Sequence, residues 1–358
     1  KNMKKLSLKV MILLILSSFT VLYLYSKVIS NKNEYSIVKR PLVVLSFVVC
    51  GSRFNESLNV VKSVLLFTRV RVHFVIFADD SLRPRFNETL TRWRHLTKNQ
   101  LEFELHEVSF PEEHKQDWMN LFSKCAAQRL FIPKLLPHID AMIYVDADTL
   151  FLGPVEELWH FFSQFKTSQI SAMSLEDDNP NVSWYPRFAK HPFYGKYGLN
   201  SGVMLMNLTR MRSFGWERVI DCTEKTIWLQ DIINIIFHYH ERAVYVLSCR
   251  YNYRSDQCMY GDACADATER GVYLLHGSRK AFHSDKQPIL TSYYWEFHNL
   301  VYGLKTFSNG RIVFPLEQFL SKPFLKLAVD GLPKCEIVVK PCMINLQQFY
   351  FIKNYNID

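Results

Sequence analysis

Asp146 and Asp148 stand two residues apart where an apolar run ends, in IYVDADTLFLGPVEELW (143–159). Asp is a poor strand residue, and two like charges this close repel. At the end of a strand, alternation aims both side chains the same way. Two carboxylates facing an open crevice suit a hard divalent cation, Mg²⁺ or Mn²⁺, which relieves the repulsion and leaves coordination positions for a diphosphate. The small Ala147 leaves room behind them. The same spacing also fits a pair of aspartates capping the turn after a strand.

Three other stretches favour the metal reading. GLNSGVMLMN (198–207) sets Asn200, Ser201 and Gly202 just before an apolar strand. Asn and Ser offer donors and acceptors for sugar hydroxyls, and Gly permits close backbone approach. VYLLHGSRKAFHSDKQP (272–288) ends an apolar strand in His276-Gly277 and follows with Arg279, Lys280 and Lys286. An imidazole can be a third metal ligand, and a nearby cation can hold phosphate oxygens. CAAQRLFIPKLLP (125–137) carries Arg129 in an otherwise apolar helix, placed either to reach a diphosphate or to pair with a carboxylate.

These residues need a scaffold, and the chain is long enough to supply one. It has 358 residues, 48% of them hydrophobic and 15% aromatic, which excludes global disorder. PLVVLSFVV (41–49), VHFVIFA (72–78) and AMIYV (141–145) read as buried parallel strands. Residues 57–67, 85–96, 117–136 and the stretch from Val155 read as helices, with further strands at 101–108, 170–173 and 202–207. Strands alternating with helices imply an α/β fold, a doubly wound and mostly parallel sheet with helices on both faces. Ligands gather there outside the carboxyl ends of the strands, where Asp146 and Asp148, and also Asp79 and Asp80, are expected. The chain has no G-x-x-x-x-G-K-[ST] phosphate loop and no H-E-x-x-H zinc motif.

Formal net charge is +9, but Lys1, Lys4, Lys5, Lys9, Lys27 and Lys32 all precede the first acidic residue, leaving about +3 for the rest. That is a small field for nucleic acid, and no nucleic-acid partner is expected. The lysines flank the uncharged run Val10–Ser26 instead. The expectation is an uncleaved signal anchor over 10–29, with a cytoplasmic tail over 1–9, a short stem over 30–40 and a lumenal body over 41–358. Sequons at Asn55, Asn87, Asn181 and Asn207 agree with a lumenal body. None of the eight cysteines forms a C-x-x-C pair. Cys249, Cys258 and Cys264 are close enough for a local bridge, while Cys50 and Cys125 suit buried thiols or a core bridge.

Together the motifs resemble glycosyltransferase family 8, the retaining, metal-dependent, nucleotide-sugar enzymes. CAAQRLFIPKLL, YVDADTLFLGPVEELW, WYPRFAKHPFYGKYGLNSGVMLMNLTRMR, CRYNYRSDQCMYG and LHGSRKAFHSDKQP look most like the glucoside xylosyltransferases within it. The resemblance is strongest over 41–288. It implies a GT-A fold, a type II Golgi or endoplasmic reticulum membrane enzyme, Mn²⁺ (with Mg²⁺ possible by chemistry), UDP-xylose as donor, and O-linked glucose on EGF-like repeats of Notch-type receptors as acceptor, joined in an α1,3 linkage. It assigns Asp146, Asp148 and His276 to the metal. To the donor it assigns Asn200, Ser201, Gly202, Arg129 and Gly277, with Lys286 for the diphosphate and Arg279 as its rival. Gln230 and Asp231 match the catalytic pair. Trp184, Tyr185 and Tyr194 would face the acceptor, or else pack a long loop.

The chain departs from the family between Arg212 and Gln230, where it is shorter, and Leu229 stands where the family has an aspartate that faces the donor sugar. Two alternatives follow: a related transferase using UDP-glucose or UDP-galactose, and a form that binds nucleotide sugar without transferring it.

Overall fold

The computed structural model describes residues 42–299, with breaks at 98–99, 113–114, 116–117, 119–123, 178, 180–182, 222–228, 260–262 and 285–287, together with 307–308 and 311–312. The expected signal anchor and stem lie outside the described residues.

The strands are β1 (Leu42–Val49), β2 (Arg71–Ala78), β3 (Leu101–Glu107), β4 (Ala141–Val145), β5 (Thr149–Phe151), β6 (Ser171–Leu175), β7 (Leu199–Asn207), β8 (Val244–Leu247), β9 (Tyr253–Arg254) and β10 (Leu274–His276). Helices are α1 (Phe54–Phe67), α2 (Arg83–Leu96), α3 (Lys124–Leu135), α4 (Val155–His160), α5 (Tyr185–Phe188), α6 (Leu208–Phe214), α7 (Trp216–Asp221), α8 (Leu229–Tyr239), α9 (Ser255–Met259), α10 (Ala265–Arg270) and α11 (Pro288–Asn299). Seven strands make one sheet in the order β3-β2-β1-β4-β7-β6-β8. Its strands read as continuous apolar runs because both faces are covered. In β4 and β7, Ile143, Val145, Val203 and Leu205 face a core shared with α1 and α2. Met142, Tyr144, Met204 and Met206 face the other core, with residues of α3, α6, α7 and α8.

One strand breaks the parallel rule and positions the site. β1 pairs parallel with β4 and β2 with β3, but β7 runs antiparallel to both β4 and β6. In register, Val145 at the end of β4 lies opposite Val203 in the middle of β7, so the first half of β7 runs on past the end of β4. A reversed strand thus brings its beginning to the edge where its neighbours end. A second small sheet, β5-β10-β9, sits at the same place, with Thr149 opposite His276.

Two disulfides are present among the described residues. Cys50, just after β1, joins Cys125 in the first turn of α3, and Cys249 joins Cys264. Among the described residues no helix is long and apolar enough to cross a membrane.

Candidate active site

β4 stops at Val145, so Asp146–Asp148 form a turn into β5 and not a strand end. Strand alternation therefore does not aim the two carboxylates; backbone pinning does. Asp146 N–H donates to the Gly202 carbonyl at 2.8 Å, and Gly277 N–H donates to the Asp148 carbonyl at 2.7 Å. The Thr149 hydroxyl donates to the Asp146 carbonyl at 2.9 Å.

The carboxylates divide their oxygens. Asp146 Oδ1 accepts from Arg129 Nη2 at 2.6 Å and from the Tyr144 hydroxyl at 3.2 Å. Its Oδ2 lies 3.6 Å from His276 Nε2. Asp148 Oδ2 lies 3.5 Å from Arg53 Nη1, and its Oδ1 3.5 Å from His276 Nε2. Burial opposes ionisation of Asp148, but the contact with His276 and the charge of Arg53 outweigh it and hold the carboxyl at about 2. Burial, against the pull of Arg129, pushes the Tyr144 phenol up, so Tyr144 stays a donor.

One oxygen of each aspartate and one imidazole nitrogen converge, all three within 4.8 Å of one another. Two hard carboxylate oxygens and a borderline nitrogen suit Mn²⁺ or Mg²⁺, and each carboxylate keeps its other oxygen on an arginine. The residues fit a divalent cation. Gly202 is part of the fit: a Cβ there would stand 2.1 Å from His276 Cε1. Its missing side chain makes room for the imidazole, where sequence reasoning assigned that room to a sugar.

The Asn200-Ser201-Gly202 segment lies inside β7, not before it. The Asn200 amide is held by protein at both ends: Nδ2 donates to Glu176 Oε2 at 2.8 Å, and Oδ1 accepts from Gly202 N–H at 2.9 Å. Ser201 gives both its carbonyl and its hydroxyl to Arg129 Nη1, at 2.6 and 3.2 Å. Arg129 is buried and committed to Asp146 and Ser201, which decides between its two expected roles in favour of the carboxylate. Gly277 lets Phe282 pack, since a Cβ would lie 2.3 Å from that ring.

Gln230 and Asp231 open α8 beside this edge. Gln230 Nε2 donates to Glu176 Oε2 at 2.9 Å and to the Tyr185 hydroxyl at 3.3 Å. Asp231 Oδ1 accepts from that hydroxyl at 2.9 Å and faces His191 Nε2 at 3.4 Å. Leu229 packs half-buried on the core under α8. Sequence reasoning missed Glu176, which gathers Asn200, Gln230 and Arg254 (3.2 Å), and it missed Arg53 and Asn252. An acidic residue directly after an apolar strand was the available signal for Glu176.

Tyr185 does not face an acceptor: it is 1% exposed, and its phenol, pushed up by burial and then by Asp231 and Glu176, donates inside the body. Trp184 is exposed, beside the exposed Phe188, and Tyr194 is half-buried. Arg279 pairs with Asp256 at 2.9 Å, and Lys286 lies outside the described residues. Asn55 and Asn87 are exposed on α1 and α2. Asn207 is half-buried, its oxygen capping α6 at the Arg210 N–H, and Asn181 lies outside the described residues.

Comparisons with known proteins agree with this geometry. Glucoside xylosyltransferase 1 of Danio rerio is 41% identical over 293 residues, covering 77% of this chain and 72% of that protein. Glucoside xylosyltransferase 2 of Mus musculus is 40% identical over 281 residues, covering 74% and 63%. Glucoside xylosyltransferase 1 of Homo sapiens is 39% identical over 285 residues, covering 74% and 64%. Thus the chain spans about two thirds of the length of these relatives. Among solved structures, the WbbM bifunctional glycosyltransferase superposes with a TM-score of 0.56 at 13% identity, over 73% of this chain and 50% of that one. The galactosyltransferase LgtC, solved with donor and acceptor sugar analogues, gives 0.51 at 18% identity, over 75% and 98%. These two likenesses speak to the fold, which is of the GT-A type. The sequence model described as glycosyl transferase family 8 matches residues 30–282, and the chain belongs to that family.

Proposed function

We propose that this protein transfers xylose from UDP-xylose to O-linked glucose on EGF-like repeats of Notch-type glycoproteins, forming an α1,3 linkage with retention. The observation that carries the reading is the convergence of Asp146, Asp148 and His276 on one point in a chain about 40% identical to glucoside xylosyltransferases. Mn²⁺ is the proposed metal, on family resemblance. When bound, the cation would stabilise negative charge growing on the departing diphosphate.

The chain's own residues do the rest. Arg129 and Arg53 hold the unused oxygens of the two aspartates and fix the direction of the other two. Gln230 and Asp231 line the donor pocket, held by Glu176 and Tyr185. Described carboxylates in this pocket are already engaged: Asp231 by Tyr185, Glu176 by three donors. Retention is therefore assigned to attack by the acceptor hydroxyl on the face from which UDP leaves, the departing phosphate taking its proton. Exposed Trp184 and Phe188 offer apolar faces for the acceptor.

The body is proposed to be lumenal, in the Golgi or endoplasmic reticulum, held by a type II anchor over 10–29. The two disulfides support an oxidising compartment. Occupied glycans at Asn55 or Asn87 in secretory cells are the expected result; none at any of the four sequons would reject this placement.

The protein given Mn²⁺, each UDP-sugar in turn and a glucosylated EGF repeat tests the activity. Xylose transfer that disappears in Asp148→Asn is expected. Preferred transfer of glucose or galactose, or UDP binding with no turnover from any donor, would overturn the proposal.

A further inference from the structure

His276 faces the two aspartates through Nε2, so it can serve a cation there only when Nε2 carries the lone pair and Nδ1 the proton. The surroundings work against that arrangement. Two carboxylates 3.5 and 3.6 Å from Nε2 would draw the proton to Nε2. Something must hold it on Nδ1.

A chain of hydrogen bonds decides the matter, starting from an atom whose role is fixed. Gly202 N–H is a backbone donor, so the Asn200 atom 2.9 Å away is the amide oxygen. Asn200 Nδ2 then points to Glu176 Oε2 at 2.8 Å, as an acceptor-only carboxylate requires. The same Asn200 oxygen meets Asn252 at 2.8 Å, so Asn252 presents its nitrogen there. The Asn252 oxygen is left facing His276 Nδ1, also at 2.8 Å. An amide oxygen only accepts, so Nδ1 bears the proton. Glu176, Asn200, Asn252 and His276 are all under 9% exposed, so water does not substitute for any of them.

We propose that Asn252 is a positioning residue that sets the His276 tautomer, keeping the proton on Nδ1 and the Nε2 lone pair aimed between Asp146 and Asp148. Its polarity is inherited from the backbone of β7 through Asn200. The inference rests on the metal reading of the site, which its test separates.

The full chain, labelled with ¹⁵N in its histidines and free of metal, is measured by long-range ¹H–¹⁵N correlation near about pH 8.5, above the ordinary imidazole range. Mn²⁺ binding in the presence of UDP is followed by electron paramagnetic resonance. Wild type should show the Nδ1–H form of His276. Asn252→Leu should move it to Nε2–H and weaken Mn²⁺ binding by about 10–100-fold. Asn252→Asp keeps an acceptor for Nδ1 but gives up the donor to Asn200, and should retain the wild-type tautomer and lose less Mn²⁺ affinity than Asn252→Leu. A purely structural role would damage both variants alike. The Nε2–H form in wild type, an unchanged tautomer in Asn252→Leu, or equal loss of Mn²⁺ in both variants would overturn the inference. Should Asn252→Leu not fold, the wild-type and Asn252→Asp tautomers still decide it. Should wild type take up no Mn²⁺, the metal reading fails, and the tautomer comparison judges Asn252 alone.

Discussion

Two carboxylate–imidazole clusters among the described residues stand in contrast, and only one of the pair is built as a site. At the carboxyl edge of β4, Asp146 and Asp148 face His276. On the other flank of the sheet, Glu104 of β3 faces three imidazoles, with His106, His73 and His138 Nε2 at 3.3, 3.7 and 3.9 Å from Oε1. By residue type the second cluster is the richer one. The difference lies behind the first row of atoms. Arg129 and Arg53 each take one oxygen of an aspartate, and Asn252 takes His276 Nδ1. At Glu104 the imidazoles crowd one oxygen, and neither that oxygen nor His106 Nε2 makes a hydrogen bond of good geometry. His138 is 59% exposed. A set of ligand-type residues becomes a site when each is compelled to point one particular atom.

The comparison can be attacked from both sides. Asp148→Asn should have the largest effect, a fall in transfer on the order of a thousandfold with Mn²⁺ binding lost in parallel; transfer near the wild-type rate would remove the cluster from the chemistry. Arg129→Met leaves Asp146 Oδ1 with only the Tyr144 hydroxyl while keeping every ligand atom in place. It should weaken Mn²⁺ binding by roughly 10–100-fold, and unchanged affinity in a metal titration would break the claim that backing matters. Gly202→Ala pushes a methyl into the space of His276 and should cost tens-fold in Mn²⁺ affinity, about the lower part of that range. Wild-type affinity would show the imidazole free to move.

The smallest effect is expected at the other cluster. Contact with His106, then His73, holds the Glu104 carboxyl well below the usual carboxylate range, against its burial. A carboxyl depressed on folding adds stability above its unfolded value, about pH 4.3, and loses it as pH falls through the acid range. Glu104→Gln should therefore lower stability by no more than about 1 kcal/mol near neutral pH, with the gap closing in acid and Mn²⁺ binding untouched. Urea unfolding at two pH values checks this; a gap that persists in acid, or a lost metal, would make the two clusters alike after all.

Much of this is legible in the sequence. The buried strands are written as apolar runs, and Asp146, Asp148 and His276 stood out because carboxylates and imidazole have few reasons to end such runs. What could not be read was direction. Nothing in GLNSGVMLMN says that β7 runs antiparallel, yet that reversal sets Gly202 against Asp146. Periodicity suggested that Asp146 and Asp148 share a side by strand alternation, whereas a turn pinned by Gly202 and Gly277 achieves it. Tyr185 looked like a surface aromatic because its segment reads as a loop; Gly198, with a left-handed backbone and no side chain, lets that ring pack inward. Asn252 and Arg53 carry no periodic signal, since their importance lies in whom they touch across the chain, and Glu176 offers only its place directly after β6.

The two disulfides acquire a meaning from this arrangement. Cys125 sits one helical turn before Arg129, and Cys249 lies three residues before Asn252. Each bridge therefore closes next to a residue that aims a candidate ligand, although neither touches the ligands themselves. In chain order Cys125 is made long before Cys264, so the bridge beside Arg129 has both its cysteines well before the bridge beside Asn252. A chain with either bridge missing would carry the full set of ligands and is expected to hold a cation less well, which a Mn²⁺ titration of Cys125→Ala and Cys249→Ala checks.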